Sequence, residues 1–205
     1  MSRSAKNIMR RHHSTQSGFT LIEVLVAILV LLLGLLGMAG VQVRATQAEY
    51  ESYQRKQALL LLQDMMDRLQ ANRLVASCYA ITATASGTPF AGTNAAGTAS
   101  ATSGLPPCTA GSLVAQAVAN NDLISWSDAL YGAAETLNTN SVGAINAARG
   151  CVVNNTGGVY TVSVAWKGIA PTSAPPAALN CGTGLYGDEA LRRVVSATLQ
   201  VATLN

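Results

Sequence analysis

Three features of the chain predict an α+β fold in which one long N-terminal helix lies against a small antiparallel sheet. An apolar run from Phe19 to Val43 holds a single ionisable residue, Glu23. Residues 44–76 then carry most of the charge, while Leu59, Leu62, Met66 and Leu69 recur at helical spacing. Toward the C-terminus the period changes to two. Tyr160, Val162, Val164 and Trp166 share one face of a strand, and Val195, Ala197, Leu199 and Val201 share one face of another. Packing the helix stripe on such a sheet buries both.

Residues 1–18 form a basic, acid-free leader that carries Arg3, Lys6, Arg10 and Arg11 and ends in glycine. The segment 19–43 is long enough to cross a bilayer once, at about 1.5 Å per residue against a hydrocarbon core of about 30 Å. A secretory signal would place its small-residue cut after a shorter apolar core. Here Gly18 precedes the core; on composition alone an uncleaved signal anchor is a stronger alternative than a secretory signal. The leader's positive charge holds the N-terminus in the cytoplasm and sends the rest of the chain across. Cys78, Cys108, Cys151 and Cys181 all fall in that exported part, where disulfides persist.

Beyond the span, 44–76 continues as an amphipathic helix, with Glu51–Arg55 and Asp64–Arg68 as i,i+4 pairs. A single helix from Phe19 to Ala76 would measure about 85–90 Å. From Leu74 to Asn121 no residue is charged, and 77–117 reads as a low-complexity surface loop. The remainder, 118–205, forms the exported α+β head. Leu113–Tyr131 has weak helical character with Leu123, Trp126 and Leu130 on one side, and Asn154–Gly158 makes a hairpin turn between Cys151–Val153 and Val159–Trp166. The Asn154-Asn155-Thr156 sequon is read as part of that turn.

Cys78 and Cys108 are 30 residues apart, as are Cys151 and Cys181, and there is no C-x-x-C. That spacing argues against zinc. Four cysteines allow three pairings; the two local ones are favoured, each closing a loop worth about 3.5 kcal/mol in the chain-entropy view. The second would cinch Pro171–Pro176 beneath the sheet.

Charge narrows the function classes. The chain has 13 basic and 10 acidic residues, a net of +3, but four of the basic ones lie in the leader. The remainder is close to neutral, so the basic pI is a targeting signal and no nucleic-acid partner is expected. His12 and His13 also lie in the leader, which leaves no histidine for a metal site or a Ser-His-Asp relay. Asp122, Asp128, Asp188 and Glu189 read as turn and helix charges. No catalytic residue, metal or cofactor is expected.

Glu23 has two readings. Lying about 6 Å along the axis from Phe19, it sits near the interface, where a helix N-terminus tolerates an anion. Alternatively, a cut after Gly18 exposes the α-amino group of Phe19, and Glu23 of one molecule pairs with that amine on another. Such a pair, removed from water, sets register more than it adds stability. Gly34, Gly37 and Gly40 weaken the helix by about 1 kcal/mol each relative to alanine. They suit either close helix packing or local loosening.

Gly18-Phe19-Thr20-Leu21-Ile22-Glu23-Val24-Leu25-Val26-Ala27 after a basic leader resembles the class III signal of type IV prepilins and type II secretion pseudopilins. The resemblance implies cleavage after Gly18 by prepilin peptidase, N-methylation of Phe19, and the pairing role for Glu23. It also implies residence in the inner membrane with a periplasmic head, then extraction into a filament at the cell surface. Asp122–Trp126, Tyr160–Trp166 and Arg192–Val195 are similar to PilV-type minor pilins. That implies a low-copy subunit that helps prime pilus assembly for twitching and adhesion, with other minor pilins, the major pilin and a tip adhesin as partners. A minor pseudopilin of type II secretion shares the N-terminus. A DNA-uptake pilin would need a basic stripe, and after Arg73 only Arg149, Lys167, Arg192 and Arg193 are basic.

Overall fold

The computed structural model describes residues 18–93, 108–133, 136–138, 140–141 and 145–202. The leader up to Ser17, with both histidines, and positions 94–107 of the expected loop lie outside the described residues. The chain divides into two units, Met1–Thr46 and Gln47–Asn205. Helix α1 (Leu21–Ala71) contributes residues to both.

In the first unit α1 is apolar on every side, and every described residue is exposed. It is the helix, among the described residues, that is long and apolar enough to cross a membrane. A helix hydrophobic all round suits a surrounding that is apolar all round, such as lipid or neighbouring helices.

The second unit is the head. Its main sheet is antiparallel, in the order β1 (Ala91–Gly92), β4 (Arg149–Asn154), β5 (Val159–Lys167), β6 (Arg192–Gln200). Between β1 and β4 come helix α2 (Leu113–Tyr131) and a separate two-stranded pair, β2 (Thr136–Leu137) and β3 (Asn140–Ser141). The predicted hairpin is β4–β5, and its turn is a short 3-10 segment, Thr156–Gly158. Alternation holds as expected: Tyr160, Val162, Val164, Trp166 and Val195 are buried on the face that meets the helices.

The helix register differs from the sequence reading. α1 buries Gln54, Ala58, Leu62, Met65 and Leu69, whereas Leu59 is 46% exposed and Met66 is half-buried. Leu62 and Leu69 are buried as expected, but the stripe continues through Gln54, Ala58 and Met65, so side-chain size pointed to the wrong edge of it. The helix also ends at Ala71, before the expected Ala76, and the chain tightens into a 3-10 segment, Arg73–Tyr79, that sends Val75, Ala76 and Tyr79 into the core. Glu51 does not pair with Arg55; its carboxylate meets Arg193 at 3.5 Å and accepts the Ile169 N–H at 2.8 Å.

The supposed loop also contributes to the sheet. β1 pairs with β4, and Thr82 is tied to the same strand by the bond from its N–H to the Val152 carbonyl at 2.9 Å. α2 starts at Leu113, where the Ser112 hydroxyl accepts the Ala115 N–H, and stops at Gly132 in the left-handed conformation. Trp126 of α2 lands on Gly150 of β4: a Cβ there would come within 2.2 Å of the indole. The glycine makes the helix–sheet approach possible.

The far face of the sheet is covered too, over part of its area, by Cys151, Ala165, Cys181 and Tyr186, with Phe90 and Val194 beside them. Pro171 and Pro176 are exposed instead of lying beneath the sheet. The covering comes from the residues around the second disulfide, since proline-rich chain offers few N–H donors to anchor it.

Candidate processing and assembly site

Gly18 precedes α1 in open surroundings, with no atom within 4 Å of a Cβ built on it. Phe19 is 83% exposed. Thr20 then caps the helix: its carbonyl accepts the Glu23 N–H at 3.1 Å, and its hydroxyl lies 3.4 Å from the same nitrogen. Glu23 stands in the first turn, where the exposed amides of a helix start favour an anion. The three residues picked from the sequence thus lie within six consecutive residues, all exposed. The Thr20-x-x-Glu23 spacing is that of a capping box, a signal readable in the sequence that the reading above did not use.

In the head, the cysteines are joined Cys78–Cys108 and Cys151–Cys181. The first lies beside a polar network linking α1, the 3-10 turn and α2. Arg68 reaches Asp64 at 3.0 Å and Asp122 at 2.9 Å. The other Asp122 oxygen accepts the Tyr79 hydroxyl at 2.5 Å, and Asn72 donates to that hydroxyl and to the Ala115 carbonyl. Burial, and then the bond to Asp122, push the Tyr79 hydroxyl well above its ordinary value. Burial alone would lower the Arg68 guanidinium, but its two carboxylate partners outweigh that and leave it raised.

The second disulfide sits among two buried arginines. Arg149 stacks on Tyr186, 4.6 Å from the ring centroid, with Phe90 at 5.4 Å. Burial pushes the Tyr186 hydroxyl up to about 12, against the pull of Arg149 and Arg192. Arg192 donates to the carbonyls of Leu179 and Cys181 and pairs with Glu189 at 2.6 Å. These contacts fasten the covering segment to the start of β6. Asp188 caps a short 3-10 turn through the Ala190 N–H. Among the described residues, no group of three or more His, Cys, Asp or Glu could hold a metal ion.

Two family models match the chain: the prokaryotic N-terminal methylation motif over residues 13–39, and the type IV pilin Tt1218-like family over residues 40–122. Over residues 13–122 the chain is thus similar to type IV pilins. The first match covers Gly18, Phe19 and Glu23; the second runs from the end of the apolar segment into α2. No curated protein and no solved structure matches the chain.

Pilins are structural subunits, and the methylation motif implies processing by prepilin peptidase and assembly with other pilins. Together with the apolar helix it points to membrane anchoring followed by incorporation into a pilus. The residues that looked like family signatures hold the head together. Asp122 receives Arg68 and Tyr79, the Trp126 indole N–H donates to the Leu61 carbonyl at 2.8 Å, and Arg192 clamps the second disulfide. Sequence reasoning missed Arg149 and Tyr186, because a stacked cation leaves no spacing signal.

Proposed function

We propose that this pilin is a minor subunit of a type IV pilus that helps prime its assembly. Prepilin peptidase cuts after Gly18, Phe19 is N-methylated, and Glu23 accepts the Phe19 amine of a neighbouring subunit. The observation that carries the reading is the junction itself: an unobstructed Gly18–Phe19 bond opens directly onto an apolar helix whose only acid, within the span, is in its first turn. A lone carboxylate in apolar surroundings needs a cationic partner, since burying it unpaired costs about 2.5–3.5 kcal/mol at the centre of a span. Before assembly the segment 19–43 crosses the inner membrane with its N-terminus cytoplasmic and the head periplasmic. The partners are other minor pilins and the major pilin, with an adhesin at the tip.

Intact-mass analysis of the purified subunit should give a chain that begins at a methylated Phe19. Deletion should cut pilus number and twitching; wild type should restore both, and Glu23→Ala should not. Normal piliation in the deletion strain would remove the priming role. A secretion defect with intact pili would reassign the subunit to a type II secretion pseudopilus.

A further inference from the structure

Strand β6 is an edge without guards. It pairs with β5 along its whole length and, among the described residues, has no strand on its other side. Exposed edges are usually protected by charge, proline or shortness. Yet from Val194 to Asn205 this chain has neither a charged residue nor a proline. The Val201 N–H donates to the Gly158 carbonyl at 2.9 Å and the Gly168 N–H to the Leu191 carbonyl at 2.8 Å. Those bonds set the phase of the antiparallel ladder: odd-numbered residues of β6 bond to β5, and the backbone N–H and C=O of Val194, Ser196, Thr198 and Gln200 point outward. No partner meets them among the described residues.

The ground beside this edge is shaped as well. Glu51, Ser52 and Arg55 of α1 line a cleft of about 270 Å³ with Trp166 and Arg193–Val195. At the other end Gln70 and Arg73 line one of about 290 Å³ with Leu199–Ala202. Ser52, Arg55, Leu59, Met66 and Gln70 recur at helical spacing, so they form one flank of α1. Its middle is apolar: exposed Leu59, and Met66, which is half-buried and packs against the core with part of its surface. Arg55 stands on this flank and Arg73 just past the end of α1, at the start of the 3-10 segment; both are exposed and without a carboxylate partner among the described residues. Arg55 lies beside Arg193–Val195 and Arg73 beside Leu199–Ala202, so an extended chain of about eight residues along β6 would run from one to the other.

We propose that β6 is an acceptor edge for one extended strand of a second polypeptide. That strand is uncharged and rich in β-branched residues along its length, and it carries a carboxylate at each end to meet Arg55 and Arg73. Backbone bonds to residues 194–200 would supply affinity, and the two arginines would set register. A second copy of this chain does not fit, because its own β6 begins with Arg192 and Arg193. The edge belongs to the head alone, so the inference does not rest on the priming role.

The test uses the full-length chain in lipid nanodiscs. The probe is a synthetic peptide of about ten residues, alternating threonine and valine, with an aspartate at each end. Saturating peptide should slow amide exchange within residues 194–200. Thr198→Pro removes an outward N–H that the ladder does not use and should abolish the slowing. Arg55→Glu with Arg73→Glu, both at exposed positions, should weaken binding about tenfold or more without changing the head's melting temperature, as should a probe with lysine ends. No slowing, or equal binding of the lysine-ended probe, would overturn the proposal. So would protection that appears without peptide and rises with protein concentration, since the occupant would then be a second copy.

Discussion

Helix α1 carries two kinds of sequence. From Leu21 to Thr46 every side is apolar and every residue exposed; from Gln47 to Ala71 one stripe is buried and the rest is mostly polar or exposed. A uniform surface specifies no orientation, so any specificity in the first stretch has to come from its exceptions: Glu23, the three glycines, and Gln42, Arg44 and Thr46 at its end. The one-sided stretch specifies a single packing through many contacts. Substitutions in the first should therefore change processing and assembly while leaving head stability alone, and substitutions around the second should appear in melting.

The largest effect on that comparison is expected from Trp126→Ala. The indole fills the space over Gly150, and its N–H holds the Leu61 carbonyl of α1. Truncation should cost about 3–5 kcal/mol, lowering the head's melting temperature by about 10 °C or more. A loss under about 1 kcal/mol by denaturant titration would show that α2 is held some other way.

Gln54→Met works in the opposite direction. Both amide atoms of Gln54 are buried with no hydrogen-bond partner among the described residues. Leaving them so costs about 1–3 kcal/mol, and methionine keeps the length and unbranched shape. The variant should be more stable by about 1–2 kcal/mol. Destabilisation would mean that the amide does have a partner.

In the bare stretch, Gly37→Ala meets open space, since no atom lies within 4 Å of the added Cβ. It should strengthen the helix locally by about 1 kcal/mol. Slower amide exchange around residue 37 with an unchanged head melting temperature is expected; a shifted head transition would contradict the independence of the two stretches.

Legibility in the sequence followed the same division. The methylation motif could be read outright, because residue order defines it: Gly18, Phe19 and Glu23 all lie within the matched residues 13–39. The strands of β5 and β6 could be read because alternation is a local property. The helix register could not, because Gln54 and Ala58 are buried through tertiary fit and have no apolar bulk to announce it. β1 was invisible for a related reason. Ala91 and Gly92 have little strand propensity and join the sheet because β4 offers an open edge. Glu51 reached across to Arg193 and Ile169 instead of its helical neighbour, and no rule of i,i+4 spacing could anticipate that.

The smallest effect concerns the acid behaviour of the head, and it separates the second disulfide's fastening from the polar network at the end of α1. Burial pushes the Glu189 carboxyl up, but the Gly184 N–H at 2.7 Å and the Arg192 guanidinium outweigh it and hold the group below its ordinary value. A carboxyl with a depressed folded value adds stability above its unfolded value, about 4.3, and that stability is lost as pH falls through the folded one. Solvent screens the pair, since 35% of the Glu189 side chain is exposed. Glu189→Gln should therefore melt slightly below wild type at pH 7, with the gap closing as pH drops below about 4. Thermal melts of both chains from pH 7 to pH 3 would check it. A gap that stayed constant across that range would mean that the charge contributes nothing and that Arg192 is held in place by the carbonyls of Leu179 and Cys181 alone.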